Sequence, residues 1–357
     1  MHVLLCRQKY YKHRKKAFLN PDKYVSIIID NMDQSKTKLP SFAQFSKVDA
    51  HLARLQHHVT GVRVHHLERL YLITWTDILH PDSNVMLNSL VYVLNDISQS
   101  NEGKLPPTLY LQCDNSAKDN KNAFVLIFMA WLIQLKVFKK IKLGFLMVGH
   151  THEDVDQSFS VVATHLGKMN VTTQPILMQA LRCVTSPPPS ILHMTGLHDY
   201  KQAMEKCRGM FVGISTPHQF VLRQEGSSVQ IRFKKWPRPS DKEEVITLPA
   251  ETIPSLAGEV TAQANPKCKM ETEKMMGDMR KWEASGRLST EELGWWHRYL
   301  RRVGVPYCNV PYVSYLPQYT PYSPVMSSNV RTALAAIQVH EKRDHEQAKM
   351  KVKKRKH

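Results

Sequence analysis

The segment GHTHEDVDQSF, residues 149–159, concentrates side chains that can bind a metal ion or transfer a proton. An HxH pair is a common beginning of a zinc site, whereas clustered carboxylates favour the harder cations Mg²⁺ and Mn²⁺. The apolar run before the segment predicts a strand, KIKLGFLMVG, and the residues after it predict a helix. Such a strand-to-helix corner is a common place for chemistry in α/β proteins. Its candidate residues are His150, His152, Glu153, Asp154 and Asp156.

Two apolar runs far upstream also end in acidic residues. KYVSIIID ends at Asp30, and TLYLQCD ends at Asp114. Both runs are rich in β-branched and apolar residues, so both predict buried strands. Further polar side chains that could assist a site or contact a polyanion follow the two strand ends: Asp33, Lys36, Lys38, Asn115 and Asn120.

The elements that must position these groups follow the order βββαβαβα over about residues 24 to 168. Residues 51–75 are interpreted as two strands of a hairpin-like pair, cut at Gly61, although the first part of the segment is also compatible with a helix. Ser83 and Asn84 are candidate caps of an amphipathic helix, and the apolar residues 119–138 predict a buried helix. Three strands, interpreted as antiparallel, thus precede parallel strands joined by helices. This order predicts a mixed α/β sheet of the RNase H-like class.

In the RNase H-like arrangement, the first and fourth strands lie side by side. Their carboxyl ends would bring Asp30 and Asp114 together, and the helix after the fifth strand would add Asp156 as a third acid. Crowded carboxylates repel one another unless divalent cations lie between them, and hard oxygen ligands suit Mg²⁺ or Mn²⁺. Two such ions can promote in-line displacement at a phosphodiester. The three aspartates are therefore the predicted metal ligands and catalytic residues.

Each of these acids also has a purely structural explanation. Asp30 and Asp33 could form an Asx-turn after a strand. Asp114 could cap the following helix, as could the asparagines that follow it. Asp154 and Asp156 lie in the first turn of a predicted helix, where acidic groups favour the helix dipole regardless of catalysis. The prediction of a site rests on the fold bringing the acids together.

The charge of the chain favours a polyanionic partner. It has 49 Lys and Arg against 31 Asp and Glu, a formal net charge of +18. Nucleic acid is the commonest polyanion, and the basic run near the carboxyl end is typical of a nuclear-localisation or phosphate-binding tail. The expected partner is DNA, self-association is left open, and the expected compartment is the nucleus. The tail residues in this prediction are Lys353, Lys354, Arg355 and Lys356.

The composition also excludes several classes of protein. Six scattered cysteines without a CxxC pair argue against a disulfide framework and against a zinc finger. No apolar run has the length of a membrane span. Four regions are predicted: a basic helical lead-in (1–19), an RNase H-like domain (20–170), a small β-containing extension (171–240) and a helical, partly disordered basic region (241–357). Within the last region, two helices are predicted to meet at Gly286, and the Pro/Tyr-rich residues 306–324 are predicted to be extended.

Three segments together resemble a family of transposon-derived domains. They are SIIIDNMDQSKTKLP, LQCDNSAKDNKN and GFLMVGHTHEDVDQSFS, which span about residues 20 to 170. This family resembles the catalytic domains of DDE-type transposases. The resemblance implies Asp30, Asp114 and Asp156 as the acidic triad, with Glu153 in reserve as the third acid. One departure is Asn31, which stands where the family pattern has Gly.

Two other functions remain as alternatives. The first is a zinc-dependent hydrolase that uses His150 and His152, although the further ligands of metallo-β-lactamase-type or calcineurin-like enzymes are not found in the sequence. The second is a domesticated transposase that has lost its activity and only binds nucleic acid or protein. It would retain the fold and the basic surface without metal-dependent cleavage of DNA.

Overall fold

Nine β-strands form one mixed sheet in the computed structural model, which describes residues 2–44, 51–146, 154–211, 213–236, 238, 240–253, 272–302 and 308–319. The order across the sheet is β6-β3-β2-β1-β4-β5-β7-β8-β9. The strands are β1 (Tyr24–Asn31), β2 (His57–Val64), β3 (Arg69–Thr76), β4 (Thr108–Cys113), β5 (Lys140–Phe145), β6 (Ser190–His193), β7 (Gln219–Glu225), β8 (Ser228–Lys234) and β9 (Glu244–Leu248).

The centre of the sheet combines antiparallel and parallel pairing. Strands β1, β2 and β3 pair antiparallel in sequence, as the sequence predicts. Strand β1 also pairs parallel with β4, and β4 pairs parallel with β5. The mixed α/β class is therefore confirmed.

Eight α-helices of the described residues accompany the sheet. They are α1 (His2–Leu19), α2 (Ser83–Gln99), α3 (Ala123–Gln134), α4 (Asp154–Leu166), α5 (Gln174–Arg182), α6 (Tyr200–Met204), α7 (Thr272–Ala284) and α8 (Thr290–Arg302). The order β1-β2-β3-α2-β4-α3-β5-α4 agrees with the sequence prediction. None of the helices in this described part is long and apolar enough to span a membrane.

The two faces of the sheet bury two separate hydrophobic cores. Because successive strand residues point to opposite faces, Ile27 and Ile29 enter one core and Ile28 enters the other. The first core contains helices α2 and α3, and its side of the sheet is here called the α2–α3 face. The second core contains α4, α5, α7 and α8, and its side is called the α4 face. Helix α3 is buried all round because it packs under the sheet in the first core.

Gly61 does not separate two strands, so that prediction is wrong. It lies in the middle of β2, and the chain turns instead at residues 65–68, where Glu68 has a φ of 51°. A methyl group at Gly61 would lie 2.7 Å from the Phe159 ring and 2.8 Å from Val155. The glycine is required because α4 packs directly against the backbone of β2.

The helix caps differ in detail from the prediction. Asp82, rather than Ser83 or Asn84, caps α2, because its carboxylate accepts a hydrogen bond of 2.8 Å from the Asn84 amide. Asn122 caps α3 by accepting from Val125 N–H. Asp114 therefore does not cap α3.

Strands beyond residue 170 continue the central sheet. Strand β6 pairs with β3, and β7, β8 and β9 extend the other edge beyond β5. Strand β9 lies beyond residue 240, where the predicted extension ends. The β-containing extension therefore shares its sheet with the predicted RNase H-like region.

The C-terminal helices and the segment after them pack onto the same unit. Helices α7 and α8 meet at Gly286, which has a φ of 74°, as predicted, and bury Trp282 and Trp296 in the second core. The Pro/Tyr-rich residues 308–319 include Tyr312 and Val313, which are buried in the first core. This part of the segment is ordered because its aromatic and aliphatic side chains fill space beside Trp131 and Tyr200.

Candidate active site at the carboxyl ends of two parallel strands

Asp30 and Asp114 are neighbours across the sheet. In the parallel pair β1–β4, Ile29 lies opposite Cys113, so the next residue on each strand is an aspartate. Adjacent strands lie about 4.8 Å apart, and residues at matching positions point to the same face. The two carboxylates therefore share the α4 face at the carboxyl edge of the sheet.

The surroundings of Asp30 disfavour the ionised form of its carboxylate, although one hydrogen bond stabilises it. One carboxylate oxygen accepts a hydrogen bond of 2.8 Å from the Asn31 N–H. Burial, together with the negative charges of Asp114 and Asp156, raises the pKa of Asp30 to about 7 against the opposing effect of the Asn31 hydrogen bond. None of the ion pairs among the described residues includes Asp30 or Asp114. Within the described part of the chain, the edge therefore gathers negative charge without an ion pair to balance it.

The loop after β4 orients Asp114. One oxygen of Asp114 accepts a hydrogen bond from Ser116 N–H at 3.2 Å and another from the side-chain amide of the buried Asn120. The side-chain oxygen of Asn115 is enclosed and has no hydrogen-bond donor within the described residues. An enclosed oxygen without a donor is suited to accept a hydrogen bond from a water molecule or to bind a cation.

Asp154 and Asp156 have different environments although only one residue separates them on α4. Asp154 accepts hydrogen bonds from Arg14 at 2.7 Å and from Tyr10 at 3.2 Å, and its carboxylate lies 3.5 Å from His65 Nε2. Burial alone would raise the pKa of Asp154, but the hydrogen bond with His65 and the charge of Arg14 lower it. Residues two positions apart on a helix are about 200° apart around its axis. Of these two acids, only Asp156 affects the pKa of Asp30, so Asp154 has a structural role and Asp156 remains the candidate site acid.

Asn31 is compatible with the backbone at the end of β1. It is not among the described non-glycine residues with a positive φ, so glycine is not required at this position. Its side-chain oxygen accepts a hydrogen bond of 2.6 Å from Thr60, whose hydroxyl in turn accepts from Trp75 Nε1 at 3.1 Å. This chain of hydrogen bonds runs from the buried Trp75 to the exposed Asn31 and links β3, β2 and β1 beside Asp30.

The remaining predicted residues have mixed positions. Asp33 forms the predicted Asx-turn by accepting from Ser35 N–H at 2.9 Å, and it lies exposed outside the carboxylate pair. Lys36 is exposed on the same turn and Lys38 is half-buried. The other predicted residues lie outside the described residues: His150, His152, Glu153, Lys353, Lys354, Arg355 and Lys356.

A cleft of about 590 Å³ opens at the same strand ends on the side of α2 and α3. Acidic side chains outnumber basic ones along its wall: Asp33, Asp77, Asp82 and Asp119 face one lysine, Lys118, and one histidine, His58. A polyanion is repelled by such a wall. Because of this repulsion, a polyanion would approach the strand ends more easily from the opposite face of the sheet than through the cleft.

The described carboxylates do not form a complete cage for a metal ion. No group of three or more His, Cys, Asp or Glu side chains in the described part of the chain lies in position to hold one. The donor set at the strand ends consists of the two neighbouring carboxylates of Asp30 and Asp114. These hard oxygen donors fit Mg²⁺ or Mn²⁺, which keep several water ligands, better than they fit Zn²⁺.

Sequence reasoning missed two features that shape the site. Gly61 lets α4 approach β2, which brings Asp156 near the strand ends. Tyr10 and Arg14 on α1 hold the first turn of α4 through Asp154. The glycine within a β-branched run was a detectable signal of close approach, whereas no local pattern indicates the contact between residues 14 and 154.

The fold and the site define a mixed α/β protein with two neighbouring carboxylates at a parallel strand edge, which no ion pair of the described residues balances. Residues 47–239, more than half of the chain, match the model of a family described as a domain of unknown function, DUF7869, and the chain belongs to this family. Neither the curated proteins nor the solved structures include a match to the chain.

Proposed function

We propose that this protein is a transposase-derived nuclease and strand-transferase core that acts on DNA phosphodiesters with divalent metal ions. The observation that carries the proposal is the pairing of Asp30 and Asp114 on adjacent parallel strands without a balancing cation among the described residues. A protein gains no stability from crowding like charges at a partly buried position, so such a pair favours a function that requires a bound cation.

The strand order supports the RNase H-like assignment. An antiparallel β1-β2-β3 unit whose first strand pairs parallel with β4, followed by parallel β5, is the arrangement expected for that class. The resemblance of three segments to DDE-type transposase domains points in the same direction, because the three implied acids are Asp30, Asp114 and Asp156. The helix that carries Asp156 packs on β2 beside the other two.

The three aspartates and the groups that orient them have distinct roles in this proposal. Asp30 and Asp114 are the ligands for divalent ions, oriented by the Asn31 amide and by Asn120. Asp156 adds negative charge next to Asp30, which strengthens the attraction for cations. Bound Mg²⁺ or Mn²⁺ would supply activation of water or a 3′-hydroxyl and stabilisation of the leaving oxygen. Ionised Asp30 is required to bind them, so activity should rise as the pH increases through about 7.

Supercoiled plasmid DNA tests the proposal directly. The full chain, incubated with Mn²⁺ or Mg²⁺ at pH 8, should convert it to nicked or linear forms, and EDTA should prevent this. Asp30→Asn and Asp114→Asn should each lower the rate by roughly 10³-fold, since they remove metal ligands. Asp33→Asn is the matched control, because Asp33 is the next aspartate after β1 and only forms a turn. Equal nicking by the wild type, Asp30→Asn and Asp114→Asn would refute the proposal.

A second candidate is a module that binds nucleic acid without cutting it. The observation that favours it is the formal net charge of +18, which attracts nucleic acid whether or not the carboxylates bind a metal ion. Such a module would bind DNA in the presence of EDTA as well as with Mn²⁺, and would show no nicking at any enzyme concentration. The zinc-hydrolase alternative stays a prediction, because its histidines lie outside the described residues. It requires stoichiometric Zn²⁺ that His150→Ala and His152→Ala remove.

A further inference from the structure

A row of basic side chains covers the α4 face of the sheet beyond the carboxylate pair. Lys140 and Lys142 alternate with buried residues on β5, which places both on the face that also carries Asp114 on β4. Arg223 lies opposite Lys140 on β7, and Lys234 lies opposite Gln219 on β8, on the same face. The sheet therefore presents cations from three neighbouring strands.

Helix α1 adds two more cations beside this row. The positive charges of its Lys9 and Lys16 lower the pKa values of Lys140 and Lys142. The charge of Lys234 in turn lowers the pKa of Lys9. Between them, His13 stacks on Tyr110 with ring centroids 4.0 Å apart and fixes the helix against β4. The whole surface is here called the basic sheet face and consists of Lys9, Lys16, Lys140, Lys142, Arg223 and Lys234.

The basic sheet face has no acidic partner within the described residues. The ion pairs found there include none of its six cations. The nearby Arg232 differs, because Glu225 and Glu243 lie 3.4 and 3.8 Å from its guanidinium. Burial and the surrounding positive charges lower the pKa of Lys142 to about 8 and also lower those of Lys140 and Lys9. Six neighbouring cations that form no ion pair among the described residues repel one another, and an anion bound across them would relieve that repulsion.

The position of the surface relative to the carboxylates indicates what the anion is. Lys142 pairs with Tyr110, four residues before Asp114 on the same face, which corresponds to about 13 Å along the strands. The cleft on the opposite face has an acidic wall and would repel a polyanion. An extended polyanion on the basic sheet face could therefore reach the carboxylate pair without crossing the acidic cleft.

We propose that the basic sheet face binds the phosphate backbone of double-stranded DNA and leads it to Asp30 and Asp114. The choice of DNA rests on the proposed function, whereas the requirement for an extended polyanion rests on the charge of the surface. Contacts to phosphates by lysine and arginine carry no sequence information, so this binding does not depend on base sequence.

Binding to a fluorescently labelled random duplex of about 25 base pairs tests the proposal. Fluorescence anisotropy is measured for the full chain in EDTA over a series of salt concentrations, so the result does not depend on catalysis. Lys140→Gln/Lys142→Gln should weaken binding about tenfold or more and reduce the salt slope by about 2, because each phosphate contact contributes about 0.9. Arg223→Gln, an exposed single change on β7, should lower the slope by about 1 without a risk to folding.

Lys104→Gln/Lys206→Gln is the matched control. It removes the same charge from two exposed lysines, in the loop before β4 and after α6, and should leave the slope unchanged. The proposal is overturned if the β5 pair, Arg223→Gln and the control lose affinity equally. It is also overturned if poly-glutamate of matched length binds as tightly as the duplex. If the wild type nicks DNA but Lys140→Gln/Lys142→Gln binds it as tightly as the wild type, only this inference is wrong. If the variant binds DNA more weakly but the wild type does not nick it, only the proposed nuclease activity is wrong.

Discussion

Two groups of aspartates on this protein differ in how their charge is balanced. Asp154 lies between α4 and α1, where Arg14, Tyr10 and His65 contact its carboxylate and its pKa is lowered. Asp30 and Asp114 lie at the strand edge without an ion pair among the described residues, and the pKa of Asp30 is raised to about 7. The charge of Asp154 is balanced by its neighbours and stabilises the fold, whereas burial and neighbouring acids make the charge of Asp30 unfavourable.

This difference in charge balance distinguishes structural acids from candidate site acids, and it requires no comparison with a homologous protein. Residues selected for stability acquire partners that balance their charge, whereas residues selected for binding keep unfavourable charge for a ligand. The basic sheet face repeats the pattern with the opposite sign, because its lysines also lack acidic partners in the described part of the chain.

The largest expected effect contrasts Asp156 with Asp154. Asp156→Asn should lower Mn²⁺-dependent nicking by roughly 10²-fold or more, because it removes charge next to Asp30. Asp154→Asn should retain most of the nicking at 20 °C, since its carboxylate contacts α1 instead of the site. Rates on supercoiled DNA compare the two variants. Equal loss in both would mean that the charge difference does not distinguish site acids.

The second effect concerns the contact that positions Asp156. Gly61→Ala should reduce the free energy of unfolding by about 2 to 3 kcal/mol, because the new methyl group overlaps the Phe159 ring and Val155. Phe159→Leu in the same chain should recover part of this loss. Gly209→Ala is the control, because no atom lies within 4 Å of a methyl group there. Urea denaturation measures all three, and equal stability of Gly61→Ala and Gly209→Ala would contradict the packing.

The third effect is a gain in stability from removing an unfavourable charge. Asp30→Asn in EDTA should be more stable than the wild type by about 2 kcal/mol at pH 8. The folded pKa of Asp30, about 7, lies above its unfolded value. Folded Asp30 therefore keeps its proton where unfolded Asp30 has lost it, and wild-type stability falls as the pH rises from about 4 to 7. The advantage of the variant should shrink at pH 5, and adding Mn²⁺ at pH 8 should raise the melting temperature of the wild type only.

The smallest effect is the cost of removing the balanced acid. Asp154→Asn should lower the free energy of unfolding by about 1 kcal/mol at pH 7, because Arg14 is 44% exposed and the ion pair is partly screened by water. The pKa of Asp154 is lowered in the folded protein, so its contribution is present above the unfolded pKa and is lost as the pH falls through the folded one. Thermal melts at pH 7 and pH 3 measure this, and an equal difference at both values would contradict it.

Much of the fold was predictable because it depends on local patterns. The apolar runs that end at Asp30 and Asp114 form strands β1 and β4, and the run of residues 119–138 contains the buried helix α3. The helices around Gly286 were also predictable, because glycine allows the positive φ between them. The turn between β2 and β3 was not, since Gly61 indicates a turn by its type but serves packing in a strand.

The sequence by itself determined the order of the elements and the acidic residues that end β1 and β4. It could not assign Asp154 and Asp156 to different roles, because both occupy the first turn of one helix and differ only in what packs around them. Tertiary structure decided this through Arg14, which lies 140 residues away in the chain. It also decided that six cations from α1 and three strands share a surface. Charge balance depends on distances in space, and only the folded chain sets them.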